Sequence, residues 1–463
     1  MNIINNWGAT LDRIIPGLYC TLLDKAPKNL SFIAPKKVMI VVERHYIDRQ
    51  HQFFKQFDDL SFLSKNLYNH ANYWMRQHFF KSGSSVSSAL SLKQLYAILK
   101  PTADYKSLPA KISNQVLKQV IHDWSAWQNS IRAYHQDSHL FLSRPKIPKY
   151  KHKTCGRNLL IYDNQSLGQR GKNKNNGQLH LSQTEMIIAT KAKDVIEVRI
   201  VPKTATYIVE VVYEKPVSLV DLNPKLIAGI DLGIDNLGAL VSNKPTFTPT
   251  LYDGKHLKSI NQGFNKRRSF LQSQLEKGKY TTRQIQQITL KRNKRVENYL
   301  HQTSSLIVKQ LVDAQIGQLV IGLNVGWKQN LELGKKTHQT FVAIPHAKLI
   351  EMITYKAELL GIKVTVTEES YTSKCSFLDL EPVGKQESYQ GKRVFRGLFR
   401  SVRGTLINAD VNAALNMIRK VSGNSPFEGC SNRLEVFAVS PVRVAPVRKT
   451  TQKVRCQALP GFL

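Results

Sequence analysis

Residues 226–241 read LIAGIDLGIDNLGALV, and this segment restricts the possible folds more than any other part of the chain. An apolar run ends in Asp231, Gly233 allows the chain to turn, and a second apolar run begins at Gly238. Such runs predict a buried strand, a hairpin and a second buried strand. The segment therefore predicts a carboxylate at the end of a core strand, although a structural hairpin with an incidental aspartate would give the same pattern.

Later segments complete the pattern of an α/β core. They are the predicted strand QLVIG at 318–322, a helix from Pro345 to Leu360, the predicted strand KVTVT at 363–367 and a helix that begins at Asp410. Pro345 is typical of a helix start and Gly361 of a helix end. Strands and helices in this order predict a sheet covered by helices.

The acidic residues of these segments form a candidate catalytic metal site. They are Asp231 at the end of the first strand, Glu368 and Glu369 after the strand at 363–367, and Asp410 at the start of the last helix. Carboxylate oxygens are the ligands that Mg²⁺ prefers. Two such ions can stabilise the attacking and leaving oxygens of a phosphodiester hydrolysis. We therefore expect Asp231 and Asp410 to bind Mg²⁺.

The net charge of the chain indicates a polyanionic partner. Lys and Arg number 67 against 33 for Asp and Glu, which gives a formal net charge of +34. An excess of this size is costly to hold together unless a polyanion neutralises it, and nucleic acid is the commonest one. A ribosomal-type or merely supercharged protein is the alternative.

A first basic segment, at 144–174, begins with RPKIPKYK. Pro145 and Pro148 exclude a regular helix, so an extended basic arm is expected. Aromatic residues among cations are typical of nucleic-acid contacts, whereas a solvated linker is the alternative. The expected contacts to the phosphate backbone are Arg144, Lys146, Lys149, Tyr150 and Lys151.

A second basic segment, at 255–303, has Glu276 and Glu297 as its only acids and is expected to form a helical hairpin with a cationic face. So few acids favour a bound polyanion over a solvated face. Its expected nucleic-acid contacts are Lys266, Arg267, Arg268, Lys291, Arg292, Lys294 and Arg295.

Other features of the sequence limit its class. No apolar run is long enough for a membrane span, and the first residues do not resemble a secretory signal. The five cysteines are far apart, which argues against a disulfide framework and favours a reducing cytosol. The predicted fold is multidomain α+β, with an extension at 1–37, a lobe of helices and strands at 38–220, an α/β domain at 221–425 and a tail at 426–463.

Four motifs make the chain resemble TnpB, a family of transposon-encoded proteins similar to type V CRISPR effectors. They are GIDLGIDNLGAL at 229–240, GWKQ at 326–329, SYTSKCS at 370–376 and NADVNAALN at 408–416. The resemblance covers about residues 40–445. It implies that 221–425 is a RuvC-type, RNase H-like nuclease domain, in which 255–303 is an insertion and 371–405 a ribbon-like loop.

The resemblance also implies partners and an activity. The chain would bind a guide RNA from the end of a bacterial insertion sequence and cleave double-stranded target DNA with Mg²⁺, in the cytoplasm near the nucleoid. An associated transposase of the same element is a further implied partner, and no membrane is. A nuclease-dead RNA-guided repressor and a transposase accessory protein are the alternatives.

Two departures from the family pattern matter. The family's zinc ribbon uses two CxxC pairs, but only Cys375 lies in the ribbon-like loop, so we expect no zinc and a loop held by packing. The usual glutamate near the end of the fourth strand is also absent, because Gly322 ends that strand. Glu368 or Glu369, one strand (~4.8 Å) farther away, would replace it. Since side chains alternate along a strand, only one of the two can point at Asp231. The alternative is that both glutamates only solvate the strand end and that the site is inactive.

Overall fold

The computed structural model describes residues 38–83, 89–167, 177–204, 206–323, 344–427 and 440–446. The predicted extension at 1–37, the GWKQ segment, the far end of the basic arm and most of the tail lie outside the described residues. None of the helices in the described ranges is long and apolar enough to cross a membrane.

The first part of the chain combines helices with an antiparallel sheet. Its helices are α1 (Phe54–Lys81), α2 (Leu92–Leu99), α3 (Ala103–Lys106) and α4 (Ala110–Gln136). The strands are β1 (Val38–Ile47), β2 (Leu160–Asp163), the pair β3 (Gln178–His180) and β4 (Ile187–Ala189), β5 (Asp194–Lys203) and β6 (Thr206–Pro216). The sheet has the order β1-β6-β5-β2. The predicted lobe of helices and strands at 38–220 therefore contains both kinds of element.

Helices α1 and α4 pack through the aromatic stripe of α4. Trp124 is fully buried, and its indole Nε1 donates a hydrogen bond to Asn72 Oδ1 at 2.8 Å. Trp127 is also buried, with its ring 5.5 Å from that of Trp124. Buried Trp N–H groups need such partners. The stripe therefore forms core.

A six-stranded sheet forms the second part of the chain. Its strands are β7 (Asn223–Asp231), β8 (Asn236–Ser242), β9 (Thr250–Asp253), β10 (Ile316–Gly322), β11 (Lys363–Thr367) and β15 (Val442–Val444). The order is β11-β10-β7-β8-β9-β15; β8 is antiparallel to its neighbours, and β10 and β11 run parallel to β7. Leaving out β15, this is the 3-2-1-4-5 order of the RNase H-like fold, so the predicted fold class is confirmed.

In the described part of the chain, four helices belong to this domain. They are α5 (Lys255–Ser273), α6 (Arg283–Asp313), α7 (His346–Glu358) and α8 (Ala409–Ser422). Helix α8 approaches β7 so closely that a Cβ atom on Gly229 would lie 2.5 Å from the carbonyl oxygen of Ala414. Glycine in the GID motif and alanines in α8 therefore permit the contact that brings the start of α8 beside the end of β7.

The ribbon-like loop leads directly into α8. It contains the strands β12 (Lys392–Phe395) and β13 (Leu398–Arg400), and β14 (Leu406–Asn408) follows it. These strands form an antiparallel sheet of three. Asn408 caps α8, because its side chain accepts hydrogen bonds from the backbone N–H groups of Asp410 and Val411. The cap fixes the first turn of α8, which carries Asp410.

Candidate active site

Asp231 is the last residue of β7, which is a central strand of the six-stranded sheet. Asp231 as a whole is half-buried, but the surrounding protein desolvates its carboxyl group. This desolvation raises the pKa of the carboxyl group well above the usual value. The nearby charges of Asp410 and Glu369 raise the pKa further, and that of Arg393 lowers it. A carboxyl group in this setting gains from a bound cation.

Asp410 comes to the same place from the first turn of α8. Its Oδ2 accepts a 2.6 Å hydrogen bond from Asn236 Nδ2, at the start of β8. Since a carboxylate can only accept, this bond fixes the orientation of the Asn236 amide. The two aspartates predicted from the sequence are therefore neighbours across the β7–α8 contact.

The two glutamates after β11 face in different directions. Glu368 is exposed and accepts a hydrogen bond from the Ser370 hydroxyl. Glu369 is half-buried, acts electrostatically on Asp231, and has its pKa raised to about 7 by desolvation. The alternation expected along a strand thus directs Glu369 inward.

The side chain of Glu369 crosses the space above Gly322. A Cβ atom on Gly322 would lie 2.5 Å from Glu369 Cγ and 2.6 Å from its Oε1, and 2.7 Å from Met417 Cε. Gly322, where the resemblance to TnpB led us to expect an acid, thus has no side chain, and Glu369 fills that space from the neighbouring strand.

Asn236 and His346 also belong to the site, and the sequence did not single them out. His346 is fully buried at the start of α7, and its Nε2 is 3.0 Å from the Gly233 carbonyl oxygen. A carbonyl only accepts, so Nε2 carries the proton and steadies the turn after Asp231. For Asn236, its position between the aspartate and the second strand was an available signal. For His346, no local pattern pointed to the contact.

The second acid of the motif, Asp235, has a different role. Its carboxylate forms an ion pair with Lys258, and Arg396 lies 3.5 Å away. The hydrogen bond from Lys258 is the main cause of its lowered pKa. Asp235 therefore holds α5 and the ribbon-like loop against the turn and is not available to a metal ion.

The oxygen-rich donor set suits Mg²⁺. Asn236 Oδ1 is buried without a hydrogen-bond partner among the described residues, beside the carboxylate that its own amide contacts. Together with the three carboxylates it provides the hard oxygen ligands of such an ion. Within the described residues, however, no three His, Cys, Asp or Glu side chains already stand close enough to hold a metal. Metal binding would therefore have to draw the carboxylates together.

The basic arm is not a free linker where the structure describes it. The side-chain amide of Asn69, on α1, forms two hydrogen bonds with the backbone of Lys151. Its Oδ1 accepts from the Lys151 N–H at 2.8 Å, and its Nδ2 donates to the Lys151 carbonyl oxygen at 2.9 Å. Arg76 donates to the Pro148 carbonyl at 3.0 Å and lies 5.1 Å from the Tyr150 ring. Lys151 turns its ammonium toward the Tyr68 ring and has its pKa lowered by burial. Of the predicted contact residues in the arm, Arg144, Lys146, Lys149 and Tyr150 are exposed.

The hairpin of α5 and α6 was predicted, and the structure divides its cations into two groups. Among the predicted contact residues, the exposed cations are Lys266, Arg267, Arg268, Lys291 and Arg295. Arg292 instead donates to Asn261 Oδ1 at 2.7 Å, and Lys294 lies 4.6 Å from the Tyr46 ring. Arg292 and Lys294 thus also hold the hairpin together and attach it to β1.

An RNase H-like sheet with acidic residues at the end of its central strand defines a chain with the architecture of RuvC-type nucleases. Two family models match it: OrfB_IS605, described as "Probable transposase", at residues 210–328, and the Cas12f1-like TNB domain at residues 346–417. The predicted resemblance to TnpB is confirmed.

Two curated proteins are similar to parts of the chain. The "TnpB-like protein ORF457" of Acidianus two-tailed virus is 26% identical over 48% of this chain and 47% of its own length. The "CRISPR-associated endodeoxyribonuclease Cas12f2" of a Micrarchaeota archaeon is 28% identical over 42% of this chain and 37% of its own length. The chain therefore spans less than half the length of either relative.

Solved structures with some likeness include a Cas12f1–sgRNA–target DNA complex, with a TM-score of 0.47 and 13% identity over 79% of this chain and 82% of that one. The mini-RNA-guided endonuclease Cas_phi3 has a TM-score of 0.43 and 9% identity over 82% and 92%. The fold assignment depends on strand order alone.

Proposed function

We propose that this chain is an RNA-guided DNA endonuclease with one RuvC-type site that hydrolyses phosphodiester bonds with Mg²⁺. The observation that carries the proposal is that Asp231, Asp410 and Glu369, from three separate elements, converge toward the end of β7, where the charges of Asp410 and Glu369 act on Asp231. Their mutual repulsion is unfavourable without a cation. Bound Mg²⁺, as one or two ions, would supply the charge stabilisation that this hydrolysis needs.

The chain's own residues have separate roles in this proposal. Asp231 and Asp410 hold the metal, Asn236 orients Asp410, and Glu369 replaces the carboxylate that Gly322 lacks. Arg393, whose charge acts on Asp231, would attract the negative phosphate of a substrate. Glu368 faces solvent and is not needed for the reaction.

Nucleic acid would be held by the exposed cations of the basic arm and of the α5–α6 hairpin. We propose that the lobe at 38–220 and this hairpin bind the guide RNA and its duplex with the target DNA strand. Proteins of this kind hold backbone and shape, while base pairing reads the sequence. The proposal therefore includes the predicted domain boundaries and the predicted contact residues.

The test begins with sequencing of the RNA that copurifies with the protein, followed by plasmid cleavage with that RNA. Asp231→Asn and Asp410→Asn should abolish cleavage and leave guide-RNA affinity unchanged, because each removes a metal-binding charge and keeps the side-chain shape. Full cleavage by either variant would contradict the assignment.

Glu369→Gln and Glu368→Gln form a matched pair, since both remove one charge at adjacent positions. Only Glu369→Gln should reduce cleavage, by about 100-fold or more, because a charged metal ligand is worth several kcal/mol. If the two variants cleave alike, the proposed replacement of the missing acid is wrong.

A nuclease-dead repressor is the second candidate, favoured by the glycine at the usual acidic position. It predicts guide-dependent DNA binding without cleavage by the wild-type protein at any Mg²⁺ concentration. A transposase accessory protein would instead show no guide-dependent DNA binding.

A further inference from the structure

The ribbon-like loop at 371–405 does not fit a zinc ion. Cys375 is its only cysteine, and the thiol is buried and directed at the Gly384 carbonyl oxygen, 3.6 Å away. Four-coordinate structural zinc needs four Cys or His ligands, and the sequence of the loop supplies one. Something else must hold the loop in shape.

Glu381 cross-links two distant parts of the loop. It is only 2% exposed, and both carboxylate oxygens are used. Oε2 accepts from the backbone N–H of Ser376 at 2.7 Å, and Oε1 accepts from the backbone N–H of Gln390 at 3.0 Å. Hydrogen bonds to an ionised acceptor are stronger than neutral ones. A carboxylate thus joins the segments that a metal would otherwise join.

Two asparagines of α8 attach the first part of the loop to the helix. Asn412 and Asn416, both fully buried, donate to the Cys375 carbonyl at 2.9 and 2.7 Å. Asn412 Oδ1 also accepts from the Phe377 N–H at 2.9 Å. The predicted packing therefore has a buried polar network as its centre.

Arg419 extends this attachment by one turn of α8. Its guanidinium donates to the carbonyl oxygens of Glu381 and Leu380, both at 2.9 Å. Because Asp410 belongs to the same helix, the network ties the loop to the element that carries a proposed metal ligand.

The other end of the loop reaches the candidate site. Gly397, in the turn between β12 and β13, accepts a 3.1 Å hydrogen bond from the N–H of Ala409, next to Asp410. Arg396 contacts Asp235, and the charge of Arg393 acts on Asp231. The position of Arg393 therefore depends on how firmly the loop is held.

We propose that Glu381, with Asn412 and Asn416, is a metal-free substitute for the ribbon's zinc. It acts as a positioning residue that holds the strands carrying Arg393 against the start of α8, beside the candidate site. The positioning of Arg393 matters for cleavage only if the proposed function holds. The metal-free network itself can be tested without any activity.

The first experiment measures hydrogen exchange of the amides of Ser376 and Gln390 in the full-length protein, with Glu381→Gln and the control Glu387→Gln. Glutamine has one acceptor oxygen and presents an N–H to the other amide. Protection of these two amides should fall about tenfold or more in Glu381→Gln only. Unchanged protection would overturn the network, as would about one tightly bound zinc per chain whose removal unfolds the loop.

The second experiment is a double-mutant cycle with Arg393→Ala, read as the cleavage rate of the saturated guide-RNA complex. Glu381→Gln should slow cleavage about tenfold and leave guide affinity within about twofold. If it acts through Arg393, adding it to Arg393→Ala should cause little further loss. Multiplied losses would overturn the positioning role.

Where Glu381→Gln does not fold, Asn412→Asp replaces it in both experiments. This variant keeps the acceptor for Phe377 and loses the donor to Cys375. Loss of this donor should loosen the attachment of Cys375 to α8, lower the protection of the adjacent Ser376 amide and again act non-additively with Arg393→Ala; wild-type values in both would contradict the proposal. If the wild type does not cleave at all, the proposed function fails, and hydrogen exchange still decides the network.

Discussion

The space above Gly322, which the Glu369 side chain fills, gives the sharpest prediction about the site. In Gly322→Ala the new methyl carbon would stand 2.5 and 2.6 Å from the Cγ and Oε1 atoms of Glu369, distances that real Cβ contacts do not show. Both are atoms of a flexible side chain, so the clash is relieved when Glu369 swings out of the site. Overpacking by one methyl costs about 1–3 kcal/mol at most where nothing can move.

The loss of stability in Gly322→Ala should therefore be small, while the loss of function should approach that of Glu369→Gln. We expect the free energy of unfolding to fall by about 1 kcal/mol or less. The cleavage rate should fall by about 100-fold, because the third carboxylate leaves the metal site. Plasmid cleavage by the guide-RNA complex and thermal unfolding measure the two quantities.

Gly263→Ala is the matched control, since nothing lies within 4 Å of the methyl group it adds to α5. It should cleave like the wild type. Gly322→Ala combined with Glu369→Gln should be no slower than Glu369→Gln alone. Wild-type cleavage by Gly322→Ala would refute the idea that Glu369 works from the space above Gly322.

The remaining predictions concern pH, charge and stability. At subsaturating Mg²⁺ cleavage should fall as the pH drops through about 7, the raised pKa of Glu369, and added Mg²⁺ should move the midpoint lower. Without metal, stability should change with pH in the opposite direction, because ionisation of Glu369 is unfavourable in the folded state. The unfolding temperature should therefore fall as the pH rises from about 4.5 to 7, and it should fall less in Glu369→Gln. An unfolding temperature that does not change over this pH range would contradict the raised pKa of Glu369. Replacing Lys266, Arg267 and Arg268 by alanine should weaken guide binding and reduce its salt slope by roughly 0.7–0.9 per lost phosphate contact, whereas equal salt slopes would place the RNA elsewhere. Asp58→Asn should destabilise the protein by about 1–3 kcal/mol in thermal unfolding, because Asp58 accepts from Arg157 at 2.7 and 2.8 Å and from Tyr207 at 2.7 Å, and an unchanged unfolding temperature would show that these bonds add nothing.

Much of the fold could be predicted because the relevant signals are local. The apolar run before Asp231 and the strand at 363–367 have the lengths and flanking turns of buried strands. The helical stripe containing Trp124 has a clear period. These patterns depend on residues close together in the chain, and the structure has the corresponding elements.

The fine arrangement of the site could not be predicted, because it depends on contacts between distant residues. The sequence left Glu368 and Glu369 equivalent, and the choice between them follows from the path of the chain after β11. The bond from Asn236 to Asp410 and the contact of His346 with Gly233 join separate elements. In the same way, Glu381 looked like an ordinary loop acid until its two backbone partners were known.

The order of the three site carboxylates along the chain has a consequence for synthesis. Asp231 is made first and Asp410 last, and β15, which pairs with β9 at the edge of the six-stranded sheet, comes later still. At roughly 5–20 residues per second, the ribosome needs about ten to forty seconds to pass from one aspartate to the other. By the second half of this interval the cations of the basic arm and of the α5–α6 hairpin have been made, but Asp410 has not. If the proposed function holds, a newly made chain can bind RNA before it can cut DNA.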